Sequence, residues 1–420
     1  MAASREARIW TFNFVAVSVS TFAFFLGSFM IFPALPLYVK AIGGSASEVG
    51  LVIGITNAAA LLLRPLMGRL VDTRGRRTTL TLGALLTTIA AMAYSVATVV
   101  PGLMAIRVLY GAAISGFSTA GPAYVGDIAP PRRRGEAFAY WGMFQSISIA
   151  VGAPLGFFIL DSGALRGLDL RVSGWFPGGR DVSSGGNFTL LFFAIAAVGV
   201  VSVVFTRLLR EVHRPVTGSK VSLWAMVGRL LDRRAVFPAV VNGLGQVSFI
   251  GLFAFVPIFA REHGVGNPGF FVTAYAIAVL VSRFVTGTLS DRFGRMAAII
   301  PGLALMGAPL ISLIWFQGTW HLIVAAAVFG WGHGLSQPAL QAYTLDRLSR
   351  EQAGMGMSTF AGGQDIGVIL GGVVLGYVLE ATSYGVLFLS MGLACVASLG
   401  ILLVGTAWTG ELFRWRGKVG

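Results

Sequence analysis

The sequence predicts an all-α membrane protein of twelve transmembrane helices, arranged as two pseudo-symmetric six-helix bundles. Two observations predict it. The 420-residue chain is 55% hydrophobic and 11% charged, far below the roughly 25% charge of a soluble domain. In addition, Arg64, Gly68, Leu70, Asp72, Gly75 and Arg76 recur 219 positions later as Arg283, Gly287, Leu289, Asp291, Gly294 and Arg295. The same offset relates Gly111 to Gly330, Asp127 to Asp346, Gly135 to Gly354, Gln145 to Gln364, Ile147 to Ile366 and Gly152 to Gly371. The chain is a tandem duplication.

Windows nearly free of charge recur at the length of about 20 residues that carries a helix across a hydrocarbon core of about 30 Å. Twelve are read, at 9–36, 46–67, 78–98, 101–126, 136–160, 188–207, 236–260, 268–288, 296–316, 321–343, 354–380 and 384–408. Arg5 and Arg8 before the first span imitate a secretory signal. That apolar run is too long for one and lacks a small-residue cleavage site, so it is read as helix 1. The expected domains are an N-terminal six-helix bundle over 1–207, a cytoplasmic linker over 208–235 and a C-terminal bundle over 236–420. Within the linker, a basic stretch around Trp224, Met226 and Leu230 is expected to lie along the membrane surface. The outer loop 161–187 is polar and Gly-rich, a flexible connection or a small lid.

The formal net charge is +14, and its placement argues against nucleic acid. Of the 31 Lys and Arg residues, 23 fall in loops on the side of the N-terminus, five on the other side and three within helices. The positive-inside rule then places both termini in the cytoplasm of a cell-membrane protein, either the inner or the plasma membrane. A nucleic-acid partner would need a contiguous basic face. Cys395 is the only cysteine, so no intramolecular disulfide can form. His213, His263, His321 and His333 show no metal-ligand spacing. No phosphate-binding loop is present, and no nucleophile, base and orienting acid are clustered. No metal, cofactor or enzymatic activity is expected.

The loop GRLVDTRGRR at 68–77 and its copy GTLSDRFGRM at 287–296 each close an even-numbered helix. Both resemble the signature Gly-x-Leu-x-Asp-Arg-x-Gly-Arg-Arg of the major facilitator superfamily, with Thr73 replacing the first Arg in one copy and Met296 the last in the other. The resemblance extends from helix 1 to helix 12 and implies a secondary transporter related to drug:proton antiporters and metabolite efflux members. It also implies a latch. Asp72, Arg76, Asp291 and Arg295 would form charge pairs that break and re-form as the bundles rock. Asp127, in YVGDIAPPRRRG, is the acid expected to meet the motif Arg, and Asp346 is its repeat mate. Asp72 is expected to face the N-terminal end of helix 11, where the helix dipole favours negative charge.

Arg107, four residues before Gly111, resembles the family's second signature, which is linked to proton coupling. An Arg within a span is costly and faces a cavity or a partner, so a purely structural Arg bonded to helix 1 remains an alternative. Its repeat position holds Ala326. Gly152-Ala-Pro154-Leu-Gly156 partly matches the antiporter signature of helix 5, which would pack that helix against the facing bundle and favour export. A generic Gly-rich packing face explains it as well. Asp365 lies about 16 Å into helix 11, near the bilayer midplane. No other acid lies as deep, and it is the expected protonation or cation-binding site, with a constant ion pair or a cap to a broken helix as the alternative. Gly363 and Gly367 beside it would leave room for a substrate.

On the family plan the cavity is formed by helices 1, 4, 7 and 10. Its expected polar lining is Asn13, Ser20, Tyr110, Ser118, Asn242, Gln246, His333, Gln337 and Gln341, with Gln364 beside Asp365; Phe14, Phe22, Phe253 and Trp331 are candidate walls. Few hydrogen-bonding groups among apolar walls suit an amphiphilic molecule better than a sugar. The expected function is proton-coupled export of a drug-like or metallophore-like small molecule by rocker-switch alternating access, by a monomer in the bilayer. A proton-coupled importer, a lipid translocase and a non-transporting sensor are the alternatives.

Overall fold

The computed structural model describes residues 9–130, 133–173, 186–211, 232–348 and 353–408. Twelve long helices fill them: α1 Phe12–Ile31, α2 Ala46–Arg74, α3 Arg76–Tyr94, α4 Val100–Ile128, α5 Arg134–Asp161, α6 Phe188–Leu208, α7 Arg233–Glu262, α8 Gly269–Phe293, α9 Arg295–Ser312, α10 Thr319–Leu345, α11 Ala353–Ala381 and α12 Tyr384–Trp408. Each corresponds to one span expected from the sequence. Among the described residues no strand is present, and nine of the helices are long and apolar enough to cross a membrane. The other three are α3, α8 and α10. Across the twelve helices large apolar side chains are exposed, including Leu62 on α2, Phe158 on α5, Trp320 on α10 and Val404 on α12, as a lipid-facing surface requires. The amphipathic stretch of the linker and residues 174–185 of the outer loop lie outside the described residues; earlier in that loop a short helix runs over Arg166–Ser173.

Some ends shift by several residues, α2 running to Arg74 and α8 to Phe293, and the first span is interrupted. The first span is not one helix to residue 36; α1 stops at Ile31 and a separate short helix runs from Leu35 to Ala41. Phe32 still has helical dihedrals and its N–H bonds to the Ser28 carbonyl, but Pro33 has no N–H with which to continue the ladder. The start of α1 is set by Thr11, whose hydroxyl accepts from the Phe14 N–H at 3.2 Å, a regular N-cap.

Two compact units divide the chain, Met1–Ala34 with Ala59–Leu223, and Leu35–Ala58 with Trp224–Gly420. In the first, α1 packs on α5 and α6, and α3 packs on α4 and α6. In the second, α7 packs on α11 and α12, and α9 packs on α10 and α12. The pairings are the same, shifted by six helices. The repeat reaches single atoms. A Cβ on Gly83 would lie 3.0 Å from the Ala113 carbonyl oxygen and the Phe117 nitrogen; on Gly302, 219 residues later, it would lie 2.9 Å from the Gly332 oxygen and the Ser336 nitrogen. Close backbone approach through small residues is how apolar helices associate where lipid competes for every apolar contact.

Buried hydroxyls join the helices of each unit. Ser20 on α1 and Ser202 on α6 bond to one another at 3.0 Å, and Ser398 on α12 donates to the Val241 carbonyl of α7 at 2.7 Å. Ser20 is therefore occupied in packing, and Phe14 lies in the core at 1% exposure; neither lines a cavity. Cys395 is buried and donates to Ser248 at 3.1 Å.

The glycines of helix 5 behave differently from the antiporter reading. A side chain on Gly152 or Gly156 would strike Leu26, Phe29 and Met30 of α1, so these glycines seat α5 on a helix of its own unit. Gly363 and Gly367 likewise serve α7. A Cβ on Gly363 would meet the Ala239 carbonyl at 2.5 Å, and one on Gly367 would meet the Gly243 backbone. The room they leave is filled by a neighbouring helix and not by a substrate.

Candidate functional site

Both signature loops fold in the same way. A glycine at positive φ turns the chain between two helices, Gly75 at φ +94° and Gly294 at φ +86°, each with ψ 162°. L-residues avoid this region and glycine does not. The next residue begins a helix and is the motif arginine. Arg76 Nε lies 2.8 Å from Asp127 Oδ2 at the end of α4, and Asp72 lies 3.9 Å from Arg76 Nη1. In the second unit, Arg295 Nε donates to Asp346 Oδ2 at 2.9 Å, and its Nη1 donates to Ser290 at 2.8 Å. The expected motif Arg to helix-4 acid pair is thus present twice. The first copy is the more shielded, with side-chain exposures of 13% and 32% against 30% and 54%. The side chain of Asp291 lies outside the described residues.

One partner of the first loop has no local signal in the sequence. Glu211, just after α6, places its carboxylate at the N-terminus of α3, accepting from the Arg76 N–H at 3.2 Å and the Arg77 N–H at 2.9 Å. A Cβ on Gly75 would collide with that carboxylate, a second reason for glycine there. Helix N-termini carry unpaired N–H groups and partial positive charge, and a carboxylate satisfies both. The same short segment is tied down three more times. Tyr124 donates to the Arg210 carbonyl at 2.8 Å, Arg77 to the Arg207 carbonyl at 2.6 Å, and the Arg210 N–H to Asn13 Oδ1 at 3.3 Å. The structure thus places Asn13 beside the exit of α6.

The polar lining expected in the second half converges in the second unit. Asn242 Oδ1, on α7, accepts from Gln246 at 3.4 Å and from Gln337 of α10. One turn before Gln337, His333 Nδ1 pairs with the hydroxyl of Tyr275 on α8 at 2.8 Å. Phe249 stacks on the His333 ring at a centroid distance of 5.3 Å, and Phe253 meets Tyr275 edge-on at 5.3 Å. Asn242 Nδ2 and His333 Nε2 are buried and hydrogen-bond to no described residue. Gln341 is exposed beyond this cluster, and Gln364 is half-buried on α11 without a hydrogen bond to it. Tyr275 was not anticipated; it lies 58 residues from His333 on a different helix.

Asp365 lies two residues from the middle of the 29-residue α11 and is half-buried. The glycines at 363 and 367 face α7, so helical geometry puts Asp365 about 160° away from that seam. In the first unit, Arg107 is 1% exposed. Its Nη1 donates to the Tyr94 hydroxyl at 3.1 Å, and its guanidinium lies 4.7 Å from the centroid of the Tyr110 ring. Tyr110 was expected to line the cavity, and it forms the floor under Arg107; Tyr94 was not anticipated. Among the described residues no group of three or more His, Cys, Asp or Glu side chains could hold a metal ion.

Comparison with known proteins agrees with this architecture. The sequence profile of the Major Facilitator Superfamily matches residues 17–271 and 265–411. The staphylopine export protein of Staphylococcus aureus is 21% identical over 409 residues, covering 93% of this chain and 95% of that one. The quinolone resistance protein NorA of Staphylococcus aureus is 21% identical over 374 residues, covering 86% and 90%. Among solved structures, a D-xylose-proton symporter superposes with a TM-score of 0.72 at 14% identity, covering 92% of this chain and 96% of that one. The nucleoside transporter NupG superposes with a TM-score of 0.68 at 13% identity, covering 93% and 99%. Twelve helices in a duplicated pattern, a signature loop formed twice and a profile match along nearly the whole chain lead to one conclusion: the protein is a multi-pass membrane transporter belonging to the Major Facilitator Superfamily.

Proposed function

We propose that the protein is a proton-coupled exporter of amphiphilic small molecules, drug-like or metallophore-like, working as a monomer by rocker-switch alternating access with both termini in the cytoplasm. The observation that carries this reading is the cluster of Asn242, Gln246, His333 and Gln337 among Phe249, Phe253 and Tyr275. A few convergent polar groups with unused buried hydrogen-bonding atoms, set in aromatic walls, suit a partly apolar ligand. The export proteins among the relatives support the outward direction, which the glycines of helix 5 no longer argue. Asp365 is the proposed proton carrier, because a carboxylate in mid-helix is costly and is retained for a task. Arg107 acts as a fixed charge in that coupling, since a guanidinium does not release its proton in a protein.

The test uses reconstituted protein and norfloxacin, a fluorescent quinolone. Inverted vesicles given an inside-acid pH gradient should accumulate it, and right-side-out vesicles should extrude it. Asp365→Asn should abolish accumulation against a gradient and leave norfloxacin binding in detergent intact. Uphill accumulation by the variant would remove Asp365 from coupling, and uptake by right-side-out vesicles driven by external acid would make the protein an importer.

A further inference from the structure

Among the described residues of the first unit Arg107 is the most thoroughly buried cation, at 1% exposure, and the partners described for it fall short of what a guanidinium requires. It has five N–H donors. One is spent on the Tyr94 hydroxyl at 3.1 Å, the Tyr110 ring lies beneath the plane at 4.7 Å, and Nε is buried with no acceptor. No described carboxylate pairs with it. In its own unit Asp72 and Asp127 face Arg76, and Glu136 faces Arg133. A phenol and a ring face soften the burial of a charge without neutralising it, and a buried cation left unneutralised is expensive. Both tyrosines also fix the guanidinium: Tyr110 holds its plane and Tyr94 anchors one edge, which leaves the Nε edge for a planar anion.

We infer that Arg107, with Tyr94, is an anion-recognition site for the cargo, so that the transported amphiphile carries a carboxylate or a comparable acidic group. This rests on the exporter reading above and sharpens it by naming the charge of the substrate. The guanidinium fork matches a carboxylate with two parallel hydrogen bonds, and the Tyr94 hydroxyl stands beside it as a further polar contact. Arg107 and Tyr94 are each 1% exposed in this structure, so opening of the site during alternating access is part of the proposal. Positions 219 residues later hold Ala326 and Leu313 in place of Arg107 and Tyr94, so the site exists once in the duplicated chain and fixes one end of the ligand.

The experiment measures binding, by fluorescence in detergent, of N-dansylglycine and its neutral amide, which differ in one charge. The wild-type protein should bind the carboxylate at least about tenfold more tightly, as one charge-assisted contact commonly provides. Arg107→Gln should erase the preference while leaving affinity for the amide unchanged. If that variant fails to fold, Arg107→Lys keeps the positive charge, loses the planar fork and should retain only part of the preference. Equal wild-type affinities, absence of carboxylate binding, or a preference that survives in Arg107→Gln would overturn the inference. Asp365→Asn should retain the preference, which shows that recognition of the anion does not run through the mid-helix carboxylate. A preference for the carboxylate without any pH-driven transport would sink the exporter reading and leave the Arg107 site standing.

Discussion

Replacing Asp127 with Asn tests the latch with little change of shape. The amide occupies the carboxylate's volume, and what disappears is one charge 2.8 Å from Arg76 Nε. Exposed ion pairs contribute about 0–1 kcal/mol, whereas breaking a buried pair costs about 3–5 kcal/mol because a charge is stranded. Arg76 at 13% exposure and Asp127 at 32% lie between these limits, and Asp72 at 3.9 Å remains to face the arginine. A loss of about 1–2 kcal/mol follows, which changes the ratio of latched to unlatched molecules by about 5–30-fold. Asp346→Asn removes the equivalent charge from a wetter pair and should cost about 0.5 kcal/mol, about twofold. Spin labels placed on the two units at the ends carrying the signature loops would report the populations as distance distributions, with turnover measured in parallel. Turnover should fall more than substrate affinity. Unchanged distances with normal transport in Asp127→Asn would refute the latch, and a larger effect from Asp346→Asn would refute the argument from shielding.

Three further outcomes are expected. Glu211→Ala removes the carboxylate at the start of α3 and should lower thermal stability by about 1 kcal/mol, in the range of a lost cap; an unchanged melting curve would show that water replaces it fully. Gly367→Val forces a branched side chain into the Gly243 backbone and should destabilise the second unit by at least about 1–3 kcal/mol, seen as loss of monodisperse protein in size-exclusion chromatography. Tyr275→Phe frees His333 Nδ1 from its partner and should weaken substrate binding by about tenfold, the worth of one hydrogen bond near 1.4 kcal/mol, without lowering the melting temperature by more than a degree or two; unaltered affinity would place the pair outside the binding surface.

How much of this was legible depended on whether a signal was local. Span positions followed from apolar length alone, because every backbone group of a membrane helix is satisfied within its own segment. The pair Arg76 with Asp127 was legible from the family resemblance of the signature loop, and duplication carried it to Arg295 with Asp346 at the same offset. Glycine gave the right residues and the wrong neighbours: Gly363, Gly367, Gly152 and Gly156 announced close approach, but a missing side chain does not say which backbone fills the space. Tyr94, Tyr275 and Glu211 were missed. Each meets its partner across a helix interface, Glu211 from 134 residues away, and no spacing rule relates them. The two halves also diverged where chemistry is done. Positions 219 residues before Asn242, Gln246, His333 and Gln337 hold Ala23, Gly27, Ile114 and Ser118, so the repeat that exposed the frame carried no information about the lining.

The hold on residues 207–211 has a practical side for anyone wishing to cut this chain in two. Hydropathy alone would end the first half near 208, where α6 stops. A fragment ending there would lack the Glu211 carboxylate and the Arg210 peptide group, and with them the acceptors used by Arg76, Arg77 and Tyr124 and the donor to Asn13. The natural seam lies after 211. Two co-expressed fragments divided a few residues beyond Glu211 should reassemble with the α3 terminus intact, whereas a division at 208 should yield a first fragment that frays at Gly75, the turn on which the motif arginine depends.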